Sequence, residues 1–207
     1  MSEYVPLFVD MSGRRVTVFG GGQVALRKCN HFRDSNITVI AEKILPEFDG
    51  IVKKTVICKI NEVEISSFLH DSDVVIAATD DKELNDAIAK RSKDLGVPVN
   101  SAHGGGDILI PSVLEKKGYI VAVSSKGKVP AFPPYVVEEL DKLLDEKFDT
   151  MLDMMITLRS KYSNMWDQRR RSQFYYTVLR DDEVIGHIRN GDIGAALERA
   201  ERIGEQS

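Results

Sequence analysis

Cysteine is scarce in this 207-residue chain: Cys29 and Cys58 are the only two, far apart and without C-x-x-C spacing. Such a pair builds neither a disulfide framework nor a thiolate metal site, and with no signal peptide in view the expected compartment is the cytoplasm. The four histidines, His31, His70, His103 and His187, have no metal-ligand spacing either, so no metal is expected. Long apolar runs are missing as well. Nothing approaches the roughly 20 residues needed to span a bilayer, so no membrane partner is expected. Basic excess is also lacking. A net charge of −4 argues against a general nucleic-acid binder, because neutralising phosphates requires a positive surface. There is no internal repeat and no low-complexity segment. What remains is a chain with 43% hydrophobic residues, long enough for one well-cored domain and a helical appendage.

The first half alternates strand and helix. From Arg14 a β-branched run, R-R-V-T-V-F-G, ends in glycines, and Gln23–Asp34 carries helical spacing through Val24, Leu26, Cys29 and Phe32. Further strands are predicted at Ile37–Ala41, Val52–Ile60, Asp73–Ala78 and Val97–Ser101, with a helix over Lys82–Leu95. The V-V-I-A-A run is apolar on both faces, which fits a parallel sheet covered on both sides. Together these predict an α/β fold with a Rossmann-like, doubly wound parallel sheet. After the glycine-rich turn His103–Gly106 the pattern changes. Ile108–Glu115 and Tyr119–Ser125, separated by Lys116-Lys117-Gly118, read as a hairpin, and helices are predicted at Pro133–Leu144, Met151–Leu158, Trp166–Leu179 and Ile193–Ile203. The expected divisions are a dinucleotide-binding domain over 1–112, a hairpin-helix region over 113–146 and a small all-helical domain over 147–207.

The sharpest local signal is Gly20-Gly21-Gly22-Gln23-Val24-Ala25, a G-x-G-x-x-A run between a strand and a helix. Gly20 permits the tight turn, Gly22 lets the backbone approach a pyrophosphate, and Ala25 permits close helix packing. An acidic residue about 20 positions on should touch the ribose. Glu42 fits that place, as either a ribose ligand or an ordinary surface side chain, and the lack of an arginine there favours NAD over NADP. Thr79, Asp80 and Asn85, at the end of the fourth strand, stand where an open parallel sheet binds ligands, and Thr79 or Asp80 also suits a helix cap. The loop after the fifth strand offers His103 or Asp107 as the base for a proton leaving the substrate. In the tail, Arg159, Lys161, Arg169, Arg170, Arg171 and Arg180 are interleaved with Trp166, Phe174, Tyr175 and Tyr176. This is either a solvated helix face or a surface for a flat polyanion, since guanidinium groups pair with carboxylates while aromatics cover an apolar ring.

With these residues in view, the chain resembles the precorrin-2 dehydrogenase and sirohydrochlorin ferrochelatase family, the N-terminal module of siroheme synthase and its stand-alone relatives. The likeness runs from about Pro6 to Tyr175. It rests on P-L-F-V-D at the start, G-G-G-Q-V-A-L-R-K at Gly20–Lys28, A-A-T-D-D-K-E-L-N at Ala77–Asn85, V-N at Val99-Asn100, I-P-S at Ile110–Ser112, V-A-V-S-S-K-G at Val121–Gly127 and R-R-R-S-Q-F-Y at Arg169–Tyr175. The resemblance implies NAD-dependent oxidation of precorrin-2 to sirohydrochlorin by a homodimer joined through the central hairpin and helix. It implies NAD contacts at Gln23, Val24, Glu42 and Lys43, and substrate contacts at Asn100, Ser124, Arg169, Arg170 and Arg171, the substrate being a tetrapyrrole with eight carboxylates. Two departures stand out. His103 occupies the position of the family's catalytic aspartate in a loop about two residues shorter, and Val129 replaces a serine found in the bifunctional enzymes. The first leaves metal insertion into sirohydrochlorin, or binding without catalysis, as alternative readings.

Overall fold

Five parallel strands form the first sheet because their residues alternate between two apolar layers. In the computed structural model, which describes residues 4–205, these are β1 (Arg15–Phe19), β2 (Asn36–Ala41), β3 (Lys54–Ile57), β4 (Val74–Ala77) and β5 (Val99–Ser101), in the order β3-β2-β1-β4-β5. The register pairs Val16 with Ile37 and Val74, and Val18 with Val39 and Ile76, so like faces stack in rows. That face is covered by Ala25 and Cys29 of α1 (Gln23–Cys29) and by Phe48. The opposite face, with Phe19, Ile40, Val75 and Val99, packs against Ile65 and Leu69 of α2 (Ile65–Leu69) and Ile88 and Ala89 of α3 (Lys82–Asp94). Val18 and Phe19 are wholly buried, and each such side chain contributes about 1.5–3 kcal/mol. Burial on both sides explains why these strands read as continuous apolar runs.

The chain divides into two units, Met1–Ile110 and Pro111–Ser207. In the second, β6 (Ser112–Glu115) and β7 (Ile120–Val123) form an antiparallel hairpin, and α4 (Phe132–Leu143) packs across it. Then come α5 (Glu146–Tyr162), α6 (Gln168–Val178), α7 (Asp182–Arg189) and α8 (Ile193–Glu205). Their core is made by residues at helical spacing: Met154, Leu158 and Tyr162; Phe174 and Val178; Val184 and Ile188; Ala196, Ala200 and Ile203. Trp166 stacks on Tyr162, with ring centroids 4.1 Å apart.

Several boundaries differ from those expected. The first helix stops at Cys29 and continues as a single 3-10 turn, Asn30–Phe32, rather than running to Asp34. The third strand is shorter, α5 is longer at both ends, and the hairpin strands begin later at Ser112 and Ile120. Two helices were unforeseen. The five-residue α2 contains two serines, and α7 is rich in β-branched residues and holds Gly186, so neither has strong propensity. Among the described residues no helix is long and apolar enough to cross a membrane.

Candidate dinucleotide site

The strand order reverses between β1 and β4, and there the carboxyl ends of the strands open into a cleft of about 940 Å³. Backbones approach closely at its floor. Gly20 has φ +117°, and a Cβ on it would lie 2.2 Å from the Ala78 carbonyl oxygen; one on Gly21 would lie 2.0 Å from that of Lys43. The protein's own packing thus demands both glycines, and the sequence reading missed the second. Gly22 is different. A Cβ there would meet nothing within 4 Å, and Gly22 lines the open cleft.

Gly22 is also the N-cap of α1, and no side chain caps this helix. The amides of its first turn therefore lack intrahelical partners and carry the positive end of the helix dipole. Gln23 and the exposed Val24 line the cleft beside them, whereas Ala25 is buried and seats the helix on the sheet. On the β2 side, Glu42 and Lys43 line the cleft together with Lys59, which the sequence reading did not single out. On the β4 side are Thr79, Asp80 and Asp81, and Asp81 caps α3 by accepting from the Leu84 amide at 3.1 Å.

Asn85, expected to touch the cofactor, is fully buried beneath the cleft and does not line it. It holds two residues that do. Its Oδ1 accepts from the Thr79 amide at 3.0 Å, and its Nδ2 donates to the Thr79 carbonyl at 2.9 Å. These two bonds fix the amide orientation, so Nδ2, 2.7 Å from His103 Nδ1, donates its remaining hydrogen to the ring. His103 Nδ1 is an acceptor here, and the neutral ring carries its proton on Nε2. Asp107 is engaged differently: its carboxylate accepts from the Val99 amide at 2.7 Å, closing the loop after β5. Geometry places His103 on the cleft wall and gives Asp107 a backbone partner instead.

Asn100, expected to bind substrate, is 5% exposed and lies under the cleft. Its Nδ2 donates to the Ile108 carbonyl at 3.0 Å, and its Oδ1 accepts from the Lys28 ammonium. Arg27 and Lys28 line the cleft and were likewise not singled out in the sequence; their place in the last turn of α1 was the available signal. Burial, and then the Arg27 guanidinium, lowers the Lys28 pKa below the ordinary lysine value. Cys29 behind them is a thiol pushed up to about 12 by burial, which suits packing and not nucleophilic chemistry.

The other expected substrate residues lie in the second unit. Ser124 Oγ accepts from the Lys126 amide at 3.1 Å in the turn after β7. Arg171 donates to the Ser163 and Trp166 carbonyls and so joins α5 to α6. Arg170 stacks over the Trp166 ring at 4.5 Å, and Arg169 is exposed. Lys161 is tied to Glu201 at 2.6 Å. Part of the basic segment thus serves the fold. Among the described residues no three His, Cys, Asp or Glu side chains gather as a metal site.

A parallel sheet reversing at a glycine-floored, amide-edged cleft defines an NAD(P)-binding domain of the Rossmann type. Residues 7–112 match the family described as putative NAD(P)-binding. The chain is 27% identical over 192 residues to the precorrin-2 dehydrogenase of Methanosarcina barkeri, covering 88% of this chain and 86% of that protein. It is 28% identical over 209 residues to the siroheme synthase of Ectopseudomonas mendocina, covering 99% of this chain but 44% of that protein. The chain thus spans less than half the length of such synthases. The solved structure of SirC, precorrin-2 dehydrogenase, has the same fold: TM-score 0.69 at 22% identity, over 96% of this chain and 100% of that one. The chain belongs to this NAD(P)-binding family, in the group formed by precorrin-2 dehydrogenases and the N-terminal modules of siroheme synthases.

Proposed function

We propose that this chain oxidises precorrin-2 to sirohydrochlorin with NAD, as a cytoplasmic homodimer. Gly22 is the observation that carries the cofactor reading. Among the described residues no contact requires a glycine there, and it faces the cleft at the uncapped end of α1. A bound diphosphate supplies the missing reason. Kinship with the Methanosarcina barkeri precorrin-2 dehydrogenase across most of both chains supports the substrate. The exposed Val113, Ile120, Phe132, Tyr135 and Leu143 on the hairpin and α4 support pairing of two copies there.

NAD, when bound, supplies the acceptor for a hydride from the reduced macrocycle. The amides of Gln23, Val24 and Ala25 hold the diphosphate, and Thr79 and Asp80 border it on the β4 side. Glu42 receives ribose hydroxyls and disfavours the extra phosphate of NADP, against the pull of Lys43 and Lys59 beside it. His103 takes the proton that leaves with the hydride. To do so its Nδ1 gives up the hydrogen from Asn85, since that lone pair is the ring's only vacant one. Asp107 is the less favoured acceptor because of its bond to Val99. Ser124, Arg169 and Arg170 meet carboxylates of the substrate.

Purified chain, mixed anaerobically with precorrin-2 and NAD, is expected to generate NADH and the sirohydrochlorin spectrum together. Absence of both overturns the dehydrogenase reading. Equal rates with NADP would remove the role given to Glu42.

A further inference from the structure

Lys28 pairs with no carboxylate among the described residues although it is half-buried, whereas seven other lysines do. Lys82, Lys90, Lys116, Lys117, Lys142, Lys147 and Lys161 each form an ion pair with an Asp or Glu. Lys28 is half-buried on the cleft wall, and among the described residues its one recorded partner is the neutral Oδ1 of Asn100. Asn100 has no freedom to turn away, because its amide nitrogen is bonded to the Ile108 carbonyl in a buried setting. An ammonium has three donors, and a partly desolvated one with a single neutral acceptor is poorly compensated. Arg27 lines the cleft beside it and adds like charge. The arrangement holds a cation ready for an anion that the protein itself does not provide.

That anion is not the cofactor's diphosphate. The open amides belong to the first turn of α1, whereas Lys28 stands in its last turn, about 7 Å further along the axis at 1.5 Å per residue. The additional phosphate of NADP falls at the end of β2, beside Glu42. Lys28 faces the other way, toward the end of β5 where Asn100 lies. Resting on the functional reading above, the geometry points to Lys28, presented by Asn100, as a binding residue for a carboxylate of the tetrapyrrole. Lys28 and His103 both line this cleft, so one fixed carboxylate would hold the macrocycle's reacting edge there.

Lys28→Gln and Lys28→Arg in the full chain test this, by titrating sirohydrochlorin and NAD separately. Lys28→Gln should weaken sirohydrochlorin binding at least about 10-fold and reduce its salt dependence, with NAD affinity within about 2-fold of wild type. Lys28→Arg should recover most of the loss. Retained NAD binding also shows that the glutamine variant is folded. Wild-type-like sirohydrochlorin binding by Lys28→Gln overturns the inference alone. A fall in NAD affinity with sirohydrochlorin binding intact overturns it too, since Lys28 would then serve the dinucleotide. If the wild-type chain binds NAD but no sirohydrochlorin, the precorrin-2 reading falls and takes this inference with it.

Discussion

Four of the five helices of the second unit close their own N-termini with an aspartate; the first helix of the first unit does not. Asp145, Asp167, Asp181 and Asp192 each accept a backbone amide at the start of α5, α6, α7 and α8. Each aspartate satisfies an orphan donor and places negative charge at the positive end of the dipole. At the start of α1 stands Gly22, with no such bond. Asp81 closes α3 as those four aspartates close their helices, and although α2 and α4 also lack a side-chain cap, α1 is the uncapped helix that opens at the mouth of the cleft. An open amide cluster is where an external anion gains most. Gly22→Asp breaks this difference directly. Gly22 has φ −95° and ψ −174°, extended backbone that any residue adopts, and its Cβ would touch nothing. The variant should therefore fold with unchanged or slightly raised Tm, while NAD affinity falls about 1000-fold, roughly 4 kcal/mol. Calorimetric titration together with thermal unfolding measures both. Retained NAD affinity would mean that the diphosphate does not rest on these amides.

The contrast extends to polar side chains. In the second unit Arg171 and Arg199 are spent on internal acceptors, whereas His103 lines the cleft and its accepting Nδ1 meets the Asn85 amide, a contact it can release to take a proton. His103→Ala should lower turnover about 100-fold, at the lower end of what a positioned proton acceptor contributes, with NAD affinity nearly unchanged. Steady-state rates beside NAD titrations separate the two effects. An unchanged rate would transfer the proton to Asp107 or to solvent.

How far the cleft was legible follows from the kind of signal each residue leaves. Gly20, Gly22, Glu42, Lys43, Thr79 and Asp80 lie within three residues of a strand's carboxyl end, so an apolar run followed by polar or glycine residues reveals them; the structure lines the cleft with all six. Gly21 and Lys28 escaped because their partners, the Lys43 backbone and Asn100, are 22 and 72 positions away, and no local pattern records such contacts. Asn85 was read as a ligand contact because it is polar and near the sheet edge, and Asn100 because the family resemblance implied it. Both are buried, and their amides are used up on backbone and side-chain partners. The parallel sheet was legible through its two-sided apolar strands. Helix α7 was not, since Gly186 and three β-branched apolar residues lower its helix propensity, although Asp181 carried the cap signal.

Asp181 offers the smallest and most specific test, the reverse of Gly22→Asp. Its carboxylate accepts the Val184 amide at 2.9 Å and the Arg199 guanidinium at 2.8 and 3.3 Å. The Arg199 hydrogen bonds hold its pKa below the usual carboxylate value, aided by the cap amide and opposed by burial. A carboxyl group whose folded-state pKa is depressed contributes stability that is complete above its unfolded value, about 3.9, and is lost as pH falls through the lower folded value. Asp181→Ala should therefore destabilise the helical unit by about 1–2 kcal/mol at neutral pH, through the lost cap and ion pair. The difference from wild type should narrow below about pH 4, as the wild-type carboxylate is itself protonated. Urea unfolding followed by circular dichroism at both pH values measures this. NAD affinity should not change, because residues 7–112 carry the dinucleotide-binding family match and α7 lies outside them. A pH-independent difference would assign Asp181 to packing alone, and the helix caps of the second unit would then differ from the open mouth of α1 in shape rather than in charge.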